Sequence, residues 1–262
     1  MSRLLVVFND IGVIEQLYTG YWDTIARICG VKQEHLFSLE RRVYENTGLD
    51  MIKDRESFIS KLDEVLQDVD MTVPQDDREY TDVTGVEFPV EKHRKAEYLY
   101  HVYQMVLDTV PYRKDVADLF NSLPQKGIDI ALLSNTGIWD LKRQNKHIDT
   151  SACSFVWRSC EEGIPISRFV WKPSTEGPSI FQGLLEEKAI KDVEQSKKYD
   201  RVLLIDYAWP NLEIAEKHGW KTHLDTNHKD DSADHMESAE SLAAVIREFA
   251  AEEGALRCGK PL

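Results

Sequence analysis

Four apolar stretches of the chain each end in polar residues: Asn9-Asp10, Ser134-Asn135, Trp171-Lys172-Pro173 and Asp206-Tyr207. In a parallel sheet such strand tips lie side by side, so residues remote in sequence converge on one cavity at the carboxyl ends. These residue types suit attack on an anionic substrate. A carboxylate working beside an anion must stay ionised, and a buried ammonium within about 4–6 Å lowers its pKa and offsets the repulsion. Lys172 fits that role, and the carboxylates at hand are Asp10 and Asp206. Hydroxyl and amide donors at Ser134 would grip developing negative charge, an effect worth roughly 10²–10³ in rate per donor. Asn9 is the odd member, because an amide carries no charge and attacks carbon or phosphorus poorly. Taken singly, each cluster has a plainer use: a Ser-Asn pair as a helix cap or turn, a Lys-Pro pair as a solvated turn, Asp206 as an N-cap.

The elements that would position these residues follow from hydrophobic spacing. Residues 4–8 are five apolar side chains in a row, rich in branched types, which predicts a central parallel strand covered on both faces and turned by Gly12. Helical spacing follows over 15–29, closed by Gly30, then over 33–45, 54–66 and 91–109, the last with Leu99, Val102, Val106 and Val110 on one stripe. Residues 68–89 are acidic, broken by two prolines and aperiodic, an irregular excursion. From Pro111 onward helix and strand alternate: helices near 114–123, 138–146 and 179–187, strands near 128–133, 154–158, 202–205 and 221–224, a polar tract over 225–240 and a last amphipathic helix. This is βαβ grammar.

The totals bound the class. A chain of 262 residues buries one good core or a core plus a smaller inserted lobe, and the latter is expected. With 42% hydrophobic and 30% charged residues, long disorder is not expected. The net charge of -14 disfavours nucleic-acid and anionic-membrane partners, which need a basic surface. Four cysteines (Cys29, Cys153, Cys160, Cys258) stand singly, as reduced thiols of a cytoplasmic protein do, and no basic-then-apolar leader precedes the first strand.

The four clusters, in their order, resemble the four motifs of the haloacid dehalogenase-like hydrolases. Phe8-Asn9-Asp10-Ile11-Gly12-Val13-Ile14 resembles the first, in which the residue at position 9 is an Asp nucleophile. Ala-Leu-Leu-Ser134-Asn135-Thr136 resembles the second, Phe-Val-Trp-Lys172-Pro173 the third, and Leu-Leu-Ile-Asp206-Tyr207-Ala-Trp-Pro-Asn211 the fourth. The resemblance implies an α/β fold, a Rossmann-like parallel sheet core formed by residues 1–14 and 110–262 with an inserted helical cap domain over 15–109. It implies Asn9, Asp10, Lys172 and Asp206 as the reacting centre, and Ser134, Asn135, Thr136, Tyr207 and Asn211 as groups holding a small anionic substrate.

Three departures shape the expected chemistry. Family phosphatases carry a second Asp two residues past the nucleophile, where Ile11 stands, and a magnesium-binding acid where Tyr207 stands. Only Asp10 and Asp206 remain as hard oxygen donors, so no metal cofactor is expected. Ala208-Trp209 leans toward the metal-independent dehalogenases, yet Val13 and Pro210 replace a Thr and a water-positioning Asp of that branch, and a halide leaving group does not follow. Asn9 itself admits three readings: loss of activity that leaves an anion-binding pseudoenzyme, a centre using another carboxylate, or an isosteric Asp-to-Asn replacement of the kind that traps substrate. The last is favoured, since a buried lysine kept without its counter-charge would cost several kcal/mol of desolvation. The expected protein is a metal-independent hydrolase, with a noncatalytic anion receptor and a Mg²⁺ phosphatase as alternatives. His223, His228 and His235 near acidic residues, Arg41-Arg42, His93-Arg94-Lys95 and the tyrosines at 98, 100 and 103 are read as solvated or packing residues.

Overall fold

The structure, a computed structural model, describes residues 3–15, 21–31, 49, 52–74, 81, 94–164, 183–225 and 238–251. In chain order these form β1 (Leu4–Asn9), α1 (Tyr21–Ile28), α2 (Arg55–Val65), α3 (Arg94–Leu107), α4 (Lys114–Ser122), β2 (Asp129–Ser134), α5 (Ile138–His147), β3 (Phe155–Arg158), the one-turn α6 (Ser159–Glu162), α7 (Leu184–Ser196), β4 (Arg201–Asp206), α8 (Trp209–Lys217), β5 (Lys221–Leu224) and α9 (Ala239–Ala251). The strands make one parallel sheet in the order β3-β2-β1-β4-β5.

The sheet is covered on both sides, which is why its strands read as continuous apolar runs. Val6 and Phe8 of β1 pack with Ile130, Leu132, Leu203 and Ile205 beneath Val116 and Phe120 of α4 and Leu242, Ile246 and Phe249 of α9. Leu5 and Val7 pack on the opposite face with Ala131, Leu133 and Leu204 beneath Ala189, Ile190 and Val193 of α7 and Leu212 and Ala215 of α8. Leu5, Val6, Val7 and Phe8 have no exposed surface. Each such side chain is worth up to about 1.5–3 kcal/mol of burial. Phe8 and Phe120 lock edge to face at 5.3 Å.

A third apolar cluster stands apart from the sheet. Ile25 and Cys29 of α1, Phe58, Ile59 and Leu62 of α2, and Leu99, Val102, Tyr103 and Val106 of α3 gather there, with Val110 beside them. Asp54 caps α2 by accepting the Ser57 backbone N–H at 2.8 Å.

The chain leaves the sheet and returns to it through a clamped neck. Gly12 N–H donates to the Glu15 carbonyl at 2.7 Å, and Arg113 N–H donates to the Ile14 carbonyl at 2.9 Å. The Arg113 guanidinium donates to the Val13 carbonyl at 2.8 Å and pairs with Asp225 at 2.6 Å, both groups buried. Asp225 N–H in turn donates to the Asp206 carbonyl at 2.9 Å.

Most expected elements fall within two residues of the spacing that predicts them. The helix expected over 179–187 is different: its described part begins at Leu184, behind a left-handed Gly183, and continues to Ser196. The apolar stripe continues through Ala189, Ile190 and Val193, but charged neighbours at 187, 188, 191, 192 and 194 hide it in the sequence. The helix expected over 33–45 and the segment ending in Trp171-Lys172-Pro173 lie outside the described residues.

Candidate functional site

Asn9, Ser134 and Asp206 end three adjacent strands, β1, β2 and β4, at their carboxyl edge. Parallel pairing sets Asn9 level with Leu133 and Phe8 level with Ile205. Side chains alternate along a strand, so being neighbours at the edge does not put two residues on one face. Asn9 follows Leu5 and Val7, and Asp206 follows Leu204, onto the α7–α8 side. Ser134 follows Ile130 and Leu132 onto the other. The polar residues therefore divide into two buried networks.

On the α7–α8 side, Asn9 Nδ2 donates to Asp206 Oδ2 at 2.7 Å. Asn211, on the first turn of α8, donates to the same oxygen at 3.1 Å, and the Ala208 backbone N–H donates to Asp206 Oδ1 at 2.8 Å. Asp206 is fully buried, and burial raises its carboxyl to about 6, while the donors from Ala208, Asn9 and Asn211 pull the other way. Asn9 Oδ1 is buried and has no hydrogen-bond partner among the described residues. Asn135 lies toward the same side, its Oδ1 accepting from the Ser159 hydroxyl at 2.9 Å.

Glu186, which the sequence reading missed, completes this side. It sits on the first turn of α7, only 1% exposed. Its carboxyl is raised to about 8, first by burial and then by the nearby Asp206 charge, while its own backbone N–H and the Asn135 side chain pull it down. The signal was present in the chain: Glu186 falls in helical phase with Ala189, Ile190 and Val193, an acid in an apolar stripe.

On the opposite side, Asp10 accepts from Gln144 Nε2 at 2.5 Å and from the Ser134 hydroxyl at 3.3 Å, both at Oδ2. Gln144 also donates to Ser134 Oγ at 2.8 Å, and Thr136 Oγ1 accepts from Ser134 at 3.2 Å. Arg158 Nε donates to Gln144 Oε1, its other nitrogens reaching Asn145 at 3.0 Å and Glu161 at 3.2 Å. The Arg158 charge polarises the Gln144 amide and so strengthens its grip on Asp10. Gln144 and Arg158 were not singled out in sequence, although Gln144 occupies a buried position of α5 in helical spacing with Leu141 and Ile148.

The structure thus brings Asn9, Asp206 and Asn211 together and separately unites Asp10, Ser134 and Thr136. Tyr207 packs its ring over Gly12, where an added Cβ would stand 2.4 Å from a ring carbon. Lys172 lies outside the described residues. Neither the cap nor the turn reading explains the second cluster, since α5 begins behind Gly137 without a side-chain cap.

Among the described residues, no three His, Cys, Asp or Glu side chains converge as a cation site. Magnesium requires several hard oxygen donors in near-octahedral array. Asp206 has both oxygens on N–H donors, Asp10 is turned toward Gln144 and Ser134, and Tyr207 is the next residue along. Asp206, Asp10 and Tyr207 do not by themselves make up that array. No described helix is long and apolar enough to cross a membrane.

No family model and no curated protein sequence matches the chain. Among solved structures, a predicted HAD-like family hydrolase from Porphyromonas gingivalis is similar at 15% identity and TM-score 0.52, covering 96% of this chain and 100% of that one. A HAD family enzyme of Bacteroides thetaiotaomicron, in its magnesium complex, is similar at 14% identity and TM-score 0.56, covering 88% and 98%. A putative beta-phosphoglucomutase from Thermotoga maritima follows at 13% identity and TM-score 0.51, covering 93% and 98%. At these identities the likeness establishes the fold: a haloacid dehalogenase-like α/β arrangement around a Rossmann-like parallel sheet.

Proposed function

We propose that this chain is a haloacid dehalogenase-like hydrolase for a small anionic organic substrate, cytoplasmic and working without a metal. Residue 9 is the attacking position, and Asn9 stands there as a charge-removing replacement of the carboxylate. The observation that carries the reading is the buried 2.7 Å bond from Asn9 Nδ2 to Asp206, with Asn9 Oδ1 unpartnered among the described residues. An amide in this geometry has the shape of a carboxylic acid donating to a carboxylate, so an Asp fits the same space with one proton shared between the two side chains. A carboxylate there would attack to give an ester intermediate, and Asp206 would then take a proton from the water that cleaves it.

Lys172 is assigned from sequence to neutralise the gathered charge. Ser134, Asn135, Thr136, Tyr207 and Asn211 are assigned from sequence to hold the substrate. Residues 15–109 are assigned as a helical cap over a core of 1–14 and 110–262.

The test is Asn9→Asp, assayed against halo-acids, phosphate esters and activated amides with intact mass spectrometry. Turnover or a covalent adduct supports the reading; neither appearing across all three classes rejects it. A second reading is favoured by the completeness of the Asp206 shell, whose acceptors are met by Asn9, Asn211 and Ala208. A noncatalytic anion receptor would keep Asn9 by nature and bind a ligand tightly without consuming it. The Mg²⁺ phosphatase reading predicts activity abolished by chelator.

A further inference from the structure

We propose that Glu186 is a second proton-carrying group of the Asn9–Asp206 site, forming with Asp206 a two-carboxyl pair that holds one proton at neutral pH. The proton resides on Glu186 and the charge on Asp206. The use of this pair in turnover rests on the hydrolase reading; the pair itself rests on the burial of both carboxyls on one sheet face and on the charge of Asp206 acting on Glu186.

Glu186 is 1% exposed, and among the described residues neither of its carboxyl oxygens completes a hydrogen bond. It lies on the stripe of α7 that packs on the same sheet face as Leu204 and Leu133, the face that also carries Asn135 and Asp206. A carboxylate buried this deeply costs several kcal/mol, which its own backbone N–H and the Asn135 side chain offset only in part, so the group stays a neutral acid. The charged groups bearing on it among the described residues are Asp206, from β4, and Glu187, on its own helix; both are negative and both favour the acid form. Asp206, by contrast, accepts three N–H donors and so keeps its charge more readily. Two carboxyls whose surroundings separate them in this way divide the roles of acid and base.

In turnover, Glu186 gives its proton to the leaving group as the carboxylate at position 9 forms the ester and the substrate's bond to that group breaks. The proton that Asp206 shared with position 9 then passes to Glu186, and water attacks the ester, its oxygen bonding to the substrate, while the ionised Asp206 takes the released proton and the carboxylate at position 9 is regenerated. Both carboxyls of the pair are thereby restored.

Carboxyl-carbon NMR titration of the intact protein tests the pair without any substrate. Glu186 is expected to titrate near pH 8 and Asp206 near pH 6. Asp206→Asn, by removing the neighbouring charge, is expected to lower the Glu186 midpoint. A Glu186 midpoint near 4.5, or one indifferent to Asp206→Asn, overturns the proposal. In an active Asn9→Asp protein, adding Glu186→Gln is expected to remove the alkaline limb of the kcat profile; an unchanged limb overturns the catalytic use. Failure of Asn9→Asp to turn over sinks the hydrolase reading and leaves the titration standing.

Discussion

Asn9 and Asp206 are joined side chain to side chain across the adjacent strands β1 and β4, fully inside the protein, with the amide as donor at 2.7 Å. Replacing the donor with a carboxylate puts two acids in contact, and both cannot ionise there. Their titration becomes that of a pair, with the second proton lost well above the ordinary carboxylate range. Asn9→Asp is therefore expected to match the parent in stability near pH 5 and to fall below it by roughly 1–3 kcal/mol near pH 8. Denaturant unfolding at the two pH values measures this, and equal stability of both proteins at pH 8 would contradict the geometry.

Glu186 gives stability its own pH signature. Its folded-state pKa of about 8 lies above the 4.5 of an unpaired glutamate, so between these values the unfolded chain binds fewer protons than the folded one. The contribution of Glu186 is thus fully present below about pH 4.5 and is lost as pH rises toward about 8. Asp206, raised from 3.8 to about 6, adds a loss of the same sign at lower pH that is complete before pH 8. Glu186→Gln is expected to hold its unfolding midpoint nearly flat from pH 6 to 8, where the parent declines by an amount of order a few kcal/mol. Parallel curves for the two proteins would show that the group ionises normally.

Gln144→Leu removes the donor shared by the buried Asp10 and Ser134. The expected loss is roughly 1–3 kcal/mol, because buried acceptors lose a donor that an apolar side chain cannot replace. Arg158→Met is expected to cost less, since it acts on Asp10 only by polarising Gln144. Chemical denaturation of the two variants ranks them, and the reverse order would refute the relay.

Gly12→Ala meets two obstacles at once: a backbone φ of +88°, and a Tyr207 ring carbon 2.4 Å from the new Cβ. Tyr207 must shift, and it adjoins Asp206. A destabilisation of roughly 1–3 kcal/mol is expected, with chemical-shift changes at Asp206 and Ala208 larger than at Glu15. Confinement of those changes to residues 12–15 would show that the ring yields without moving its neighbour.

The parallel core was legible because β1, β2 and β4 are buried on both faces, and burial on two sides leaves an unbroken apolar run that nothing on the surface imitates. The tips at Asn9, Ser134 and Asp206 were legible for the same reason, as the first polar residues after such runs. Their partners were not. Facing depends on alternation along each strand, so Ser134 joins Asp10 and Gln144 across from Asn9, a distinction invisible when tips are read simply as neighbours. Glu186 and Gln144 come from helices packed on opposite faces, and a polar residue on an apolar stripe declares itself only once the stripe is traced through its charged neighbours.

The Arg113–Asp225 pair binds the outgoing chain at Val13 and Ile14, the returning chain at Arg113, and, through Asp225, the strand tip of Asp206 into one rigid knot. Any swing of the helical cluster that spares these bonds pivots beyond them and leaves the main chain at Asp206 in place.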